Sequence, residues 1–262
     1  RQVQAIVHVV RCFDDDDVTH VSGRVDPLSD VETIETELAL ADMQVAEKAL
    51  EKQKKMARTG DKEAKEKVQA LEEWIERLNN GTSTMVPECL AEYGFIMAKP
   101  VLYVGNVPEG AIAGNTHWQA LSEHAQKRGA GVLAVSARIE AEIQTLDADE
   151  QAMFMEELDM KEPGLNRLIR AAYALLDLQT FFTAGVKEVR AWTMTKGTVA
   201  PLAAGVIHTD FIKGFIRAEV IEYNDFINDE GEQGAKEKGH WRLEGKDYVV
   251  QDGDVVHFRI NA

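Results

Sequence analysis

Apolar residues fall into two rhythms along this chain. Ala5-Ile6-Val7-His8-Val9-Val10 is a nearly unbroken β-branched run, the composition of a strand covered on both faces and therefore central in its sheet. A polar, turn-rich connection follows: Phe13-Asp14-Asp15-Asp16-Asp17, then Val25-Asp26-Pro27. From Asp30, a candidate N-cap, Ile34, Leu38, Ala41, Val45 and Ala49 recur at helical spacing with Glu and Lys between them. Gly60-Asp61 interrupts the pattern, which resumes as Val68, Leu71, Ile75 and Leu78 and stops at Asn79-Asn80-Gly81. The two stretches predict an antiparallel helical hairpin with arms of about 30 Å at about 1.5 Å per residue. Trp74, Ile75 and Leu78 then zip the second arm onto the first.

Residues 82–98 show no period. Beyond them strand and helix alternate. Lys99–Val104 is an apolar strand, and Trp118, Leu121 and Ala125 mark one face of a helix. Gly131–Val135 is a second strand, and Leu165, Leu168, Ile169, Ala172, Leu175 and Leu176 mark a further helix. This alternation predicts an α/β fold with a parallel sheet, the run 5–10 joining it and the hairpin inserted between its strands. From about Phe181 the texture changes to short alternating segments, Val186–Thr193, Ala218–Ile221, Tyr248–Val250 and Val255–Arg259. Lys196-Gly197, Lys213-Gly214, Gly245-Lys246 and Asp252-Gly253-Asp254 separate them. That pattern predicts a second compact domain, small and mostly antiparallel β.

Composition narrows the chemistry. The 262 residues are 45% hydrophobic and 28% charged, as in ordinary globular chains. The net charge of −16 does not attract bare phosphate backbone, so any nucleic-acid contact needs a local basic patch, and DNA is not an expected partner. Cys12 and Cys89 stand alone without metal-ligand or disulfide spacing and read as buried thiols. No apolar stretch approaches the roughly 20 residues of a membrane span, which makes the cytoplasm the expected compartment and a membrane no expected partner.

In an open parallel sheet, ligands sit at the carboxyl ends of the strands. Tyr103-Val104-Gly105-Asn106-Val107-Pro108-Glu109-Gly110 lies at such an end. The amide of Asn106 can pin neighbouring loops or face a purine, and Glu109, an acceptor only, selects a base edge that offers N–H donors. Val135-Ser136-Ala137 ends the next strand in small residues that let the backbone approach a flat ring. The alternative is that these are turn residues with no ligand.

Long runs of the sequence resemble the YchF-type Obg-like ATPases: "AIVHVVRCFDDDDVTHVSGRVDPLSDVETIETELALAD" (5–42), "AKPVLYVGNVPEG" (98–110), "EPGLNRLIRAAYALLDLQTFFTAGVKEVRAWT" (162–193), "AAGVIHTDFIKGFIRAEVIEY" (203–223) and "WRLEGKDYVVQDGDVVHFR" (241–259). The resemblance implies a P-loop-type nucleotide-binding domain over 1–29 and 82–180, incomplete here, a coiled-coil-like arm over 30–81, and a β-grasp TGS domain over 181–262. It implies that Asn106-Val107-Pro108-Glu109 replaces the Asn-Lys-x-Asp of guanine-specific relatives. Asn106 and Val107 then line the base, Glu109 stands in for the guanine-reading Asp, and Ser136 and Ala137 meet the base edge. ATP or GTP with Mg²⁺, and the ribosome or its RNA, are the implied ligands and partners.

No Gly-x-x-x-x-Gly-Lys-Ser/Thr and no Asp-x-x-Gly occurs, and the only Gly-Lys, Gly245-Lys246, lies in the β segment. The grip for phosphates and magnesium is therefore expected outside this sequence, and the chain alone is expected to be inactive. The alternative from another class is a non-enzymatic adaptor that binds the ribosome or RNA through the arm and the β domain. Asp14–Asp17 lacks the alternation of a calcium loop and reads as a solvated loop. His8 reads as a core histidine with a satisfied nitrogen, and the other histidines, His20, His117, His124, His208, His240 and His257, lack paired metal spacing. His208-Thr209-Asp210-Phe211 reads as a turn. Lys196, Lys213, Arg217, Lys236, Lys238, Arg242 and Lys246 are a candidate RNA-facing patch, although acids are interleaved with them.

Overall fold

Residues 3–14, 25–81, 86–185 and 188–261 are described in a computed structural model. The chain divides into two compact units, Arg1–Leu175 and Leu176–Ala262.

The first unit is built on three parallel strands, β1 (Ile6–Arg11), β2 (Val101–Asn106) and β3 (Gly131–Val135), in the order β1-β2-β3. The ladder pairs Arg11 with Asn106 and Asn106 with Val135, so the three carboxyl ends lie abreast. The central strand among them is β2, whose Leu102, Tyr103 and Val104 are buried, whereas β1 pairs only with β2 among the described residues and leaves Val7 44% and Val9 64% exposed. The β-branched run thus corresponds to a strand with one covered face: Val10 packs with Tyr103, Val31 and Leu121, while the odd-numbered valines point away.

Helix α1 (Pro27–Ala57) begins three residues before the expected cap, Asp30. Asp26 caps it, accepting from Ser29 N at 3.2 Å, because Pro27 in the first turn has no N–H to satisfy and a φ already suited to the helix. At 31 residues α1 is about 46 Å long, well beyond the expected arm, while α2 (Lys62–Asn79) is about 27 Å. The difference arises because α1 serves two cores. Val31 is buried against the sheet, and Ala46 and Ala49 pack on Leu71, Trp74 and Leu78 of α2. The hairpin turns at Gly60, whose φ of +94° favours glycine, and Asp61 caps α2 through Ala64 N.

The segment without a sequence period is a fitted part of the structure. A two-turn 3₁₀ helix (Glu88–Tyr93) and the residues after it pack Leu90 and Phe95 into the hairpin core, with the Phe95 and Trp74 rings 5.4 Å apart. The buried Asp42 carboxylate accepts from Met97 N at 2.8 Å, fastening this return to α1. At the root of α1, Glu35 accepts from the Tyr103 hydroxyl and pairs with Arg128. Burial and this carboxylate together hold the Tyr103 phenol well above its usual range.

The first unit continues with α3 (Thr116–Lys127) between β2 and β3, then α4 (Ala137–Ile143), α5 (Ala148–Glu157) and α6 (Gly164–Leu175). Leu121 and Ala125 of α3 are fully buried on one face of the sheet. The apolar stripe of α6 is only partly covered, with Leu165 41% and Ile169 48% exposed.

The second unit carries a five-stranded sheet: β4 (Leu178–Ala184), β5 (Val189–Thr195), β6 (Phe215–Ile221), β7 (Arg242–Glu244) and β8 (Val255–Ile260), in the order β5-β4-β8-β6-β7. The β4–β8 pair is parallel and the rest are antiparallel. The first strand, β4, begins at Leu178, ahead of the change in texture at 181, because its alternation continues the apolar spacing of α6 without a break in the sequence. Tyr248–Val250 is a single bridge to Val199 rather than a strand. Helices α7 (Ala200–Ile207), α8 (Asp210–Gly214), α9 (Tyr223–Asn228) and α10 (Glu232–Lys238) occupy the connections. Phe181, Phe215, Val220, Val250, Val256 and Phe258 form the core.

Buried carboxylates tie this unit together. Glu219, 6% exposed, accepts from Arg259 Nε at 2.8 Å, and Asp229 holds Lys238 at 2.8 Å and His240 at 2.6 Å. The Arg259 guanidinium beside Glu219 holds its carboxyl below the usual value, and Lys238 and then His240 do the same for Asp229. A depressed folded-state pKa contributes stability that is present above the unfolded value and lost as pH falls toward the folded one.

Trp74→Ala should lower stability by about 3–5 kcal/mol, and Trp74→Phe, which removes an indole N–H that has no partner among the described residues, by less; chemical denaturation monitored by circular dichroism compares them. Stability should also fall as pH drops below the ordinary Glu value of 4.5, and Glu219→Gln should flatten that dependence, as thermal melts across pH would report.

Candidate functional site

The aligned carboxyl ends of the parallel strands form one edge, and Asn106 is its centre. Its backbone carbonyl accepts from Cys12 N at 2.8 Å, and its side-chain Oδ1 accepts from Ala137 N at 3.0 Å. The Ala137 N–H fixes the orientation of the amide, so Nδ2 is left as a donor with no hydrogen-bond partner among the described residues. Val107 then turns inward: it is 2% exposed and its N–H donates to Val135 O at 2.9 Å. After Pro108, Glu109 opens a one-turn 3₁₀ helix (Glu109–Ala111) with its carboxylate at the surface, 2.5 Å from Arg138 Nε. That ion pair is solvent-exposed and therefore weak enough to yield to a ligand.

Ser136 lies at the end of β3 as the N-cap of α4, 4% exposed, and its hydroxyl has no hydrogen-bond partner among the described residues. Ala137 is exposed beside it. Its N–H, expected to meet a base edge, is already engaged by Asn106, so Ala137 supplies surface rather than a free donor. The five expected positions fall together at one edge, with Asn106, Glu109 and Ala137 at the surface and Val107 and Ser136 beneath them.

Several residues that hold this edge went unmarked in the sequence. Asn115 caps α3 by accepting from Trp118 N at 2.9 Å, and its Nδ2 donates to Cys12 O at 2.7 Å, tying the end of β1 to the helix after β2. The Asn-Thr-His-Trp order carried a helix-start signal that would have located the cap, though not its reach to Cys12. Glu140 accepts from Gly164 N at 2.6 Å and Leu165 N at 3.0 Å, and nothing in the local pattern marks it. Gly105 is required by close approach: a Cβ there would stand 2.8 Å from the Trp118 ring and 3.2 Å from Cys12 Sγ. Burial raises the Cys12 thiol to about 11, which leaves it an inert core group, while Cys89 is only partly buried.

Other candidates lie elsewhere or disperse. Asp14 meets His117 at 3.1 Å beyond β1; Asp15 to Asp17 and His20 lie outside the described residues, among which no three His, Cys, Asp or Glu side chains converge on a cation position. His8 is half-buried, not a core residue, with its ring 5.7 Å from that of Tyr103 and neither nitrogen hydrogen-bonded among the described residues. It lines a cavity of about 300 Å³ with Ile6, Lys99, Glu35 and Arg128 at the amino ends of the strands, remote from the carboxyl edge. Burial holds its imidazole below the usual value. His208 and Asp210 form a local turn, Asp210 N donating to His208 Nδ1 at 3.3 Å. Within the basic set, Lys236, Lys238 and Arg242 are matched by Glu232, Asp229 and Glu244, which divides the expected patch.

These features define an α/β protein whose parallel sheet is interrupted by a helical hairpin and followed by a mixed-sheet unit. The family model YchF-GTPase_C, described as "Protein of unknown function (DUF933)", matches residues 178–261. A curated relative from Haemophilus influenzae, "Ribosome-binding ATPase YchF", is 54% identical over all of this chain and 74% of its own length. The Bacillus subtilis protein of the same name is 49% identical with the same coverage. The solved structure described as "Structure of the Schizosaccharomyces pombe YchF GTPase" matches 98% of this chain and 72% of its own, with a TM-score of 0.81 and 31% identity. The chain belongs to the YchF family.

Gly105→Ala should destabilise the first unit by about 1–3 kcal/mol through overpacking against Trp118, measurable by differential scanning calorimetry.

Proposed function

We propose that this chain carries the base-reading edge, the arm and the TGS domain of an ATP- or GTP-hydrolysing switch that works on the ribosome. The observation that carries the reading is the strand end Asn106-Val107-Pro108-Glu109. It places a free amide donor, Asn106 Nδ2, and a loosely held carboxylate, Glu109, at the carboxyl edge of a parallel sheet. The Ser136 hydroxyl, buried and able both to donate and to accept, lies at the neighbouring strand end. Adenine and guanine each present donors and acceptors on one edge, so this set accepts either ring, as a relaxed purine reader would. Val107 contributes the floor under the ring and Ala137 the open surface beside it. The names of the relatives, ribosome-binding ATPases and a GTPase, agree with a nucleotide-dependent switch.

Magnesium and the triphosphate enter this reading through the family alone. The 262 residues contain no Gly-x-x-x-x-Gly-Lys-Ser/Thr, and among the described residues the carboxyl edge supplies no lysine and no carboxylate cluster for a metal. These residues fit a purine ring; they do not fit a triphosphate with its cation. The cytoplasm, where ribosomes work, is the proposed compartment.

Adenosine or guanosine added to the isotope-labelled chain should shift the amide resonances of Asn106, Glu109 and Ala137, and Glu109→Ala should weaken that response several-fold. Shifts confined to residues 178–261 would sink the reading. The chain alone should release negligible phosphate from ATP in a malachite-green assay. In ribosome co-sedimentation, nucleotide-dependent association supports the switch, whereas indifference to nucleotide favours an adaptor.

A further inference from the structure

None of the ten residues of helix α5 is buried. Its ends compensate. Asp147 and Glu150 form a capping box, with Glu150 N donating to Asp147 at 3.0 Å and Asp147 N to Glu150 at 3.1 Å. At the other end Met160 N reaches back to Met155 O at 2.8 Å across Asp159, which takes the left-handed conformation at φ 52° without being glycine. Gln151 Nε2 moors the helix by donating to Ile143 O and Leu146 O at 2.9 and 3.0 Å. The helix is therefore preformed while its apolar side chains are left over: Met153 is 72% exposed and, with Leu146 and Phe154, lines an open groove of about 570 Å³.

The rest of the groove wall is Glu150, Glu156 and Glu157, with no basic residue. Residues 144–160 hold six acids, Asp147, Asp149, Glu150, Glu156, Glu157 and Asp159, and no Lys or Arg. Glu156 and Glu157 have no ion-pair partner among the described residues, whereas Glu63 pairs with Lys67 and Glu232 with Lys236 along their helices.

We infer that the α5 groove is a docking site for a basic amphipathic segment of a protein partner, its apolar residues seated on Met153, Phe154 and Leu146 and its Lys or Arg side chains on Glu150, Glu156 and Glu157. Charge decides among occupants. Nucleic-acid phosphates and anionic lipid headgroups meet unrelieved carboxylates here and are repelled. A second copy of this chain brings a net charge of −16 of its own. Only a cationic surface with apolar anchors satisfies both halves of the groove. Because the capped helix is already formed, docking orders little new backbone on this side, which favours rapid and reversible capture. This inference is independent of the nucleotide reading.

The test is fluorescence anisotropy of the chain with a short labelled peptide of Lys and Leu at helical spacing, and with a second peptide in which Glu replaces Lys. The Lys/Leu peptide should bind and the Glu/Leu peptide should not. Met153→Ser, an exposed substitution, should weaken binding about tenfold, the loss expected for one apolar anchor, and the pair E156K/E157K by at least as much. The matched reversal E47K/E51K on α1 should leave binding unchanged, and an oligouridylate should not compete. Absence of peptide binding, equal binding by the groove variants, equal loss in E47K/E51K or displacement by the oligouridylate would each overturn the inference. Circular dichroism melts keep an unfolded variant from being counted.

Discussion

Asn106 holds both neighbouring strand ends at once: its carbonyl takes the Cys12 N–H after β1, and its side-chain amide takes the Ala137 N–H after β3. Parallel strands share no hairpin turn, so nothing in the local chain aligns their ends; the ladder and bonds of this kind must do it. Because the register sets Arg11, Asn106 and Val135 abreast, the loops that follow leave from a common line. Gly105 lets Trp118 of α3 close against β2 directly beneath that line, and Asn115 at the start of α3 reaches back to Cys12. The candidate base edge exists only because these contacts agree. Its exposed acid Glu109 leans on an exposed arginine that contributes little to stability, which leaves the carboxylate available.

The same economy of contacts shapes the arm. A single helix, α1, begins in the core of the sheet at Val31 and ends as one half of a hairpin sealed by Trp74, Leu71 and Phe95. Two acids on that helix fasten it sideways, Glu35 to Tyr103 and Arg128, and Asp42 to the backbone of Met97. Polar groups placed in such positions cost little when satisfied and a great deal when one partner is lost. The hairpin is therefore rigidly continuous with the sheet at its root.

Charge is distributed unevenly in a chain of net −16. In the second unit, Glu219 and Asp229 are nearly buried and answered by Arg259, Lys238 and His240, so acid there serves cohesion. On α5, Glu156 and Glu157 face solvent near exposed Met153 and have no ion-pair partner among the described residues. Local pairing, not total charge, separates structural acids from acids left free to meet a partner.

Much of this was legible in the sequence because it depends on local periodicity. The hairpin with its breaks at Gly60 and Gly81, strand β3 over 131–135, the buried face of α3 and the strand-end motif at Asn106 all follow from spacing and turn chemistry within a few residues. Position in a sheet does not follow from such spacing: the valine-rich β1 carries the composition of a covered strand, yet Val7 and Val9 are exposed because nothing described packs on that face. Strand β4 merged with the apolar stripe of α6, since a helix stripe and a short strand look alike where no glycine or proline divides them. Asp42 on Met97, Asn115 on Cys12 and Asn106 on Ala137 bridge 55, 103 and 31 positions, and no short-range pattern encodes a partner so distant. The sequence by itself determined which segments become helix or strand and where the motif stands; the meeting of those segments, which converts a turn residue into the hinge-pin of three strands, was decided by tertiary packing, because only packing brings distant donors to waiting acceptors.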